Sequence, residues 1–238
     1  SNKPDKISQP RWFRWSLVGL VAASILFKLY KAHISGMMID EGSSVYLFSD
    51  QIEHALTRYP TPNNHILHSL MLVFVRNISD TYIHWFRIPA VIFGSLYSIA
   101  VAYITAKILK HRLLILAVCA AALLSRHAFD YSYLARGYAI SLGGYFAGLA
   151  MVIFLLKHPL SFRFCWIPIL LLTTVNFMCL GSMPSTVFII AALNGWVVLF
   201  CSHRFFRNPP NRLVPTVLNL LSIPFLSGIS LYALYRGI

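Results

Sequence analysis

The sequence predicts an all-α membrane protein, a polytopic helical bundle of about seven spans with interfacial helices in a long first outer loop. Three observations carry that expectation. Hydrophobic residues make up 58% of the 238 and charged residues only 11%, against roughly 25% charged in soluble domains, and mean hydropathy is +0.67. The apolar residues come in runs close to the 20 or so needed to cross a bilayer. Between these runs, basic clusters recur after every second one, the pattern of cytoplasmic loops.

Taken in order, residues 1–14 form a basic N-terminal segment (Lys3, Lys6, Arg11, Arg14) expected in the cytoplasm. The apolar run 17–27 that follows resembles a signal peptide. No cleavage pattern comes after it, so 15–36 is read as an uncleaved first span. Further spans are expected at 88–106, 113–127, 137–156, 164–181, 184–201 and 214–235, the third short unless it extends into 128–132. Lys107/Lys110/Arg112, Lys157/Arg163 and Arg204/Arg207/Arg212 then lie inside and the C-terminus outside. The expected setting is a bacterial inner membrane.

Residues 37–86 form one long outer loop. Within it, 43–56 has apolar residues at near-helical spacing, and 64–76 (NHILHSLMLVFVR) is an apolar segment too short to span. Both are expected to lie against the membrane face, joined by the turn Tyr59-Pro60-Thr61-Pro62-Asn63-Asn64. Residues 15–238 thus read as one module.

The net charge of +13 is spread over short inter-span clusters, so it signals topology and not a phosphate-binding face; nucleic acid is excluded as a partner. Cys119, Cys165, Cys179 and Cys201 lie in or beside apolar runs without metal-ligand spacing and read as small buried hydrophobes.

Acidic residues are the informative minority. Four of the seven (Asp40, Glu41, Asp50, Glu53) fall within 14 residues, just after the first span. A carboxylate costs about 2.5–3.5 kcal/mol at the centre of a spanning helix, so a chain this apolar that gathers its acids in one loop marks a place for chemistry. Asp40-Glu41 sits where the chain leaves the bilayer.

The order of features now matters: a basic N-terminus, one span, the Asp-Glu pair, an amphipathic loop helix, and a Pro-rich turn with Asn-His (PTPNNHILHSL). After these come an Arg-Ile-Pro opening the next span (FRIPAVIFGSLYSIAVAYITAKIL) and a second outer loop with YSYLARGYAISLGGY. This order resembles the GT-C class of membrane glycosyltransferases, in the branch of protein O-mannosyltransferases and bacterial lipid A aminoarabinose transferases, over about residues 15–235. The resemblance implies transfer of a sugar from a polyprenyl-phosphate carrier to an acceptor hydroxyl on the outer face. It implies Asp40 as general base, with its neighbour Glu41 the second catalytic candidate. Arg136 or Arg87 would hold the carrier phosphate, Tyr131, Tyr133 and Tyr138 would contact the sugar, and His65 is a further substrate-binding candidate; small residues at Gly143-Gly144 and Ala147-Gly148 leave room for a close helix contact or for the lipid tail. Some members use a divalent metal, for which His65 and His68, at i and i+3, are the candidates with Asp40 or Glu41. Asp130 lies where an acid contributes to some family sites.

Each has a plainer reading. Asp40 and Glu41 suit the first turn of a helix. Arg136 suits an interfacial anchor whose charge snorkels to headgroups. The tyrosines suit an aromatic belt, the histidines an amphipathic face, and Asp130 an N-cap or a partner for Arg126 or Arg136. Members of the class continue beyond a seven-span module, so the chain is expected to be either a fragment or a reduced relative. The alternative function is a non-catalytic GT-C-derived subunit packing with partners in a larger membrane complex. A small transporter fits less well, because no Asp or Glu falls in mid-span.

Overall fold

The computed structural model describes residues 10–57, 65–79, 83–157, 166–186, 188–192 and 195. The described residues are mainly helical, with turns and bends between the helices and no strands. The expected turn at 59–64, the span 214–235 and the basic clusters at 157–163 and 204–212 lie outside the residues whose side chains are described.

Five longer helices follow the expected spans within a few residues. They are α1 (Arg11–Ile34), α6 (Ile88–Ile108), α7 (Arg112–Leu124), α9 (Tyr138–Lys157) and α10 (Trp166–Ser182). Two of them, α1 and α6, are long and apolar enough to cross a membrane. Local chemistry sets their ends. α1 starts after Pro10 and closes with Lys31 and His33 in its last turn, where cations meet the negative end of the helix dipole. α6 carries Pro89 in its first turn, where a missing N–H costs nothing, and Lys107 in its last. α7 differs from its expected bounds: Ser125 adopts an extended conformation (ψ 122°) and ends the helix at Leu124, after 13 residues or about 20 Å. The chain restarts as α8 (Arg126–Tyr131).

α6 is the central helix. It packs against α9 on one side and α1 and α7 on the other, and α10 closes on the far face of α9. Tyr97, Val101, Cys119 and Leu123 form one apolar centre, with Leu17, Leu20, Val21 and Phe146 packed round it. Glycines set the closeness of the α9 contacts. A Cβ on Gly143 would collide with the Phe93 carbonyl of α6, and one on Gly144 would lie 2.6 Å from Cys179 Sγ of α10. Both glycines are therefore consumed in helix contacts. Of the two uses expected of Gly143-Gly144, a close helix contact and room for a lipid tail, the structure shows the first.

Residues 37–86 hold more breaks than expected. Residues 43–56 do not make one helix; α2 (Ile39–Tyr46) and α3 (Ile52–Thr57) flank a non-helical stretch at 47–51. Asp50 accepts from Gln51 N–H at 3.0 Å and from His54 at 2.6 Å, so its carboxylate opens α3 and holds its own backbone out of helix. α4 (Ile66–Arg76) buries Ile66, His68, Ser69 and Leu72 along one face, and α5 (Ile83–Phe86) leads into α6. A 3-10 turn, Pro184–Thr186, follows α10. The span expected at 184–201 thus opens on a turn, with helical residues at 188–192.

The end of α1, the starts of α6 and α9, the end of α10 and all the short helices of the first loop meet at one end of the bundle, called here the loop end. Val45, Leu72, Phe86 and Ala135 make its apolar floor.

Candidate functional site

Asp40 and Glu41 occupy the first turn of α2, and the helix turns their side chains to different tasks. Glu41 is fully buried and faces Arg87, also fully buried. Arg87 Nε and Nη2 donate to Glu41 Oε1 and Oε2 at 2.9 and 2.7 Å. Nη1 donates to the carbonyls of Ala32 and Ser35 at 2.9 and 2.7 Å, and Nη2 also to that of Gly36 at 2.8 Å. All five guanidinium donors are thereby used. Glu41 is equally saturated, since Oε1 also accepts from Ala135 N–H at 2.7 Å and Oε2 from Met38 N–H at 3.1 Å.

Neither Glu41 nor Arg87 has a position left for a phosphate, a sugar or a metal. Arg87 as phosphate ligand and Glu41 as a catalytic or metal-binding group, both expected from the resemblance, are replaced by a structural hub. It ties together the end of α1, the start of α2, the start of α6 and the backbone at Ala135. The hub also explains the neighbouring site, because Glu41 adjoins Asp40 and Ala135 adjoins Arg136.

Asp40 and Arg136 meet directly: Oδ2 and Nη1 stand 2.9 Å apart, with 44% and 13% of their side chains exposed. The Arg136 guanidinium lies 4.6 Å from the Tyr138 ring centroid, and its Nη2 donates to the Tyr138 hydroxyl at 3.4 Å. Tyr131 faces Tyr138 at 4.6 Å between centroids, and the His65 ring meets the edge of Tyr138 at 5.0 Å. Five residues proposed from sequence (Asp40, Arg136, Tyr131, Tyr138 and His65) thus converge. The loop is seated where Gly94 of α6 admits the Ser132 backbone, a place a Cβ would fill.

Behind Tyr131 and Tyr138 lies a mostly apolar cavity of about 430 Å³ between α8, α9 and the end of α10. Its walls include Leu142, Tyr145, Met183 and Ile190, with Ser141 and His127 among the few polar groups. Ser141 Oγ is buried without a partner. The volume falls in the range of small-molecule sites.

Tyr133 goes elsewhere. It is 5% exposed, packs on Phe129 and donates to Asp130 Oδ1 at 3.4 Å. Burial, helped by the Asp130 charge, pushes its hydroxyl pKa up. It braces the loop and does not join Tyr131 and Tyr138. Asp130 stands 3.7 Å from exposed Arg126, a contact worth little.

His65 precedes α4, and its Nδ1 is 2.8 Å from the Ser182 carbonyl at the end of α10. Its Nε2 and both ring nitrogens of His68 are buried and unpartnered. Among the described residues, no three His, Cys, Asp or Glu side chains gather as a metal site. With Glu41 saturated and His65 Nδ1 spent on a carbonyl, the expected donor set of His65 and His68 with an acid is not assembled.

Sequence reasoning missed Lys28. It is fully buried between α1 and α6, donates to the Gly94 carbonyl at 2.7 Å and to Ser98 Oγ, and lies 5.7 Å from the Tyr97 ring centroid. Ser24 and Ser98 hydroxyls meet beside it at 3.3 Å. The signal was present as polar pairs at i, i+4 inside two apolar runs, Ser24/Lys28 and Gly94/Ser98.

No protein-family model, curated protein or solved structure matches the chain.

Proposed function

We propose that this chain is a GT-C-like membrane glycosyltransferase module that moves a sugar from a polyprenyl-phosphate carrier to an acceptor hydroxyl. The loop end then faces the outer side of a bacterial inner membrane, and the chain crosses several times, seven by the sequence pattern, from a cytoplasmic N-terminus. The observation that carries the reading is the Asp40–Arg136 pair, 2.9 Å apart, beside two tyrosine rings at the mouth of an apolar cavity.

The chemistry follows from those parts. A carrier phosphate docks on Arg136, whose planar fork matches phosphate oxygens, and displaces Asp40 from it. The freed carboxylate takes the proton of the acceptor hydroxyl as that oxygen attacks the anomeric carbon. The bond from that carbon to the phosphate oxygen breaks, and the negative charge leaves on the carrier phosphate against Arg136. Tyr131 and Tyr138 offer faces for the sugar, and the cavity offers apolar walls for the first part of the tail.

The test is turnover of a polyprenyl-phosphate sugar by full-length protein in membrane mimetics. Asp40→Asn should lower turnover by about 10²–10⁴-fold with carrier binding retained. Arg136→Ala should weaken carrier binding by about ten- to a hundredfold. Near-normal turnover by Asp40→Asn in an active preparation removes the mechanism.

A second reading has its own observation. Gly143 and Gly144 are consumed in helix contacts, as in a subunit built for packing. A non-catalytic GT-C-derived membrane subunit would co-purify with stoichiometric partners in mild detergent and bind no polyprenyl phosphate.

A further inference from the structure

Two adjacent histidines sit where α4 meets the start of α9 and the end of α10. His68 is fully buried and His65 5% exposed, and three of their four ring nitrogens have no partner. The fourth, His65 Nδ1, reaches the Ser182 carbonyl across 117 residues of sequence. The fit is tight, since a Cβ on Gly137 would lie 2.6 Å from the His65 side chain. Neutral imidazoles are tolerated in such a place and imidazolium ions are not, because among the described residues the Ser182 carbonyl is the one acceptor found for the four ring nitrogens.

No carboxylate is among the charges that bear on either ring. Of the elements packed on α4, α2 brings Asp40 and Glu41, committed to Arg136 and Arg87, and α6 brings Arg87 itself at its cap. α3 brings Glu53 and His54, α5 brings His84, and α10 brings Cys179. The charge that bears on the pair is Arg136, and it opposes their protonation.

We propose that His65 and His68 form an acid-sensitive latch that holds α4 against α9 and α10. Above neutral pH both rings are uncharged and the latch is closed. As pH falls, protons favour any conformation in which α4 lifts away and the rings reach water. Burial pushes the His68 pKa down to about 3 and that of His65 in the same direction. The closed form therefore stays unprotonated while an open form takes up protons near pH 6.5. The sign is that of a depressed pKa: the latch is fully stable above about 6.5 and loses stability progressively below it. Between pH 7.5 and 5.5, linkage raises the open population about tenfold through His68 alone, and the lowered His65 pKa adds to it in the same direction. The proposal stands apart from sugar transfer, although Arg136 and Tyr138 lie against the latch and opening would loosen that site.

The test is hydrogen–deuterium exchange of the full chain in nanodiscs at pH 7.5 and 5.5, corrected for the chemical exchange rate. Protection of amides in 66–76 should fall about ten- to a hundredfold at the lower pH, and His65→Gln/His68→Gln should abolish the difference. Unchanged protection in the wild type overturns the latch, as does an undiminished pH effect in the double variant. Should that variant fail to fold, exchange at the imidazole C2 position reports each histidine in the wild type. Titration of His65 and His68 near 6.5 in the closed protein overturns the proposal, and failure to titrate until well below that supports it.

Discussion

Ala135 N–H donates to Glu41 Oε1 at 2.7 Å, across 94 residues of sequence, and this bond sets the spacing of the candidate site. It fixes the backbone one residue before Arg136 to the side chain one residue after Asp40. The two charges at 2.9 Å are thus each carried one residue away from one buried anchor. A site residue and its support are neighbours in sequence on both strands of the contact.

That anchor should behave as a unit. Arg87→Ala leaves a buried carboxylate and Glu41→Ala a buried guanidinium, and each should cost about 3–5 kcal/mol. The double variant should cost well under the sum, which denaturant unfolding in micelles measures as a coupling energy. Additive losses would mean that the pair is not a closed network.

Asp40 should part from Glu41 in the same assay. Its pair with Arg136 is partly exposed, so Asp40→Asn should change stability by less than about 1 kcal/mol. Turnover and stability therefore separate at Asp40 and move together at Glu41. A large stability loss in Asp40→Asn would assign it to the anchor.

Glycine substitutions should have opposite signs in two helices. Gly143→Ala drives a Cβ into the Phe93 carbonyl, whereas Gly19 in α1 has nothing within 4 Å of its Cβ position. Gly19→Ala should raise thermal stability, by up to about 1 kcal/mol from helix propensity, and Gly143→Ala should lower it.

The passage of α6 across a bilayer is open to direct labelling. Gly36 and Lys110 are both exposed and flank α6 at opposite ends. Cysteines placed at these positions should react with an impermeant maleimide from opposite sides of the membrane. Reaction of both from one side removes α6 as a span.

The helices were legible where composition decides them. Apolar runs located α1, α6, α9 and α10 within a few residues, because the length and hydropathy of each run set them and single polar residues such as Lys28 do not. The break at 47–51 was not, because apolar spacing alone does not register that the Asp50 carboxylate bonds its own backbone and His54. At the site, residue types were legible and pairings were not. Nothing local shows that Arg87 spends every donor on Glu41 and three carbonyls while Arg136 keeps a partly exposed partner. That difference comes from α1 ending at Ser35–Gly36 directly over Arg87, a tertiary fact. Tyr133 and Tyr138, alike in sequence, separate for the same reason, since one faces Phe129 and the other Arg136.

Lys28 bears on how the protein is made. On the membrane reading, α1 leaves the ribosome carrying a cation within its apolar run, and lipid alone supplies no acceptor for it. Its acceptors, the Gly94 carbonyl and Ser98 Oγ, are synthesised 66 and 70 residues later. On that reading the first helix should wait beside the insertion machinery for α6, which makes biogenesis a two-helix event, and Lys28→Leu should let α1 leave for the lipid alone, ahead of its partner.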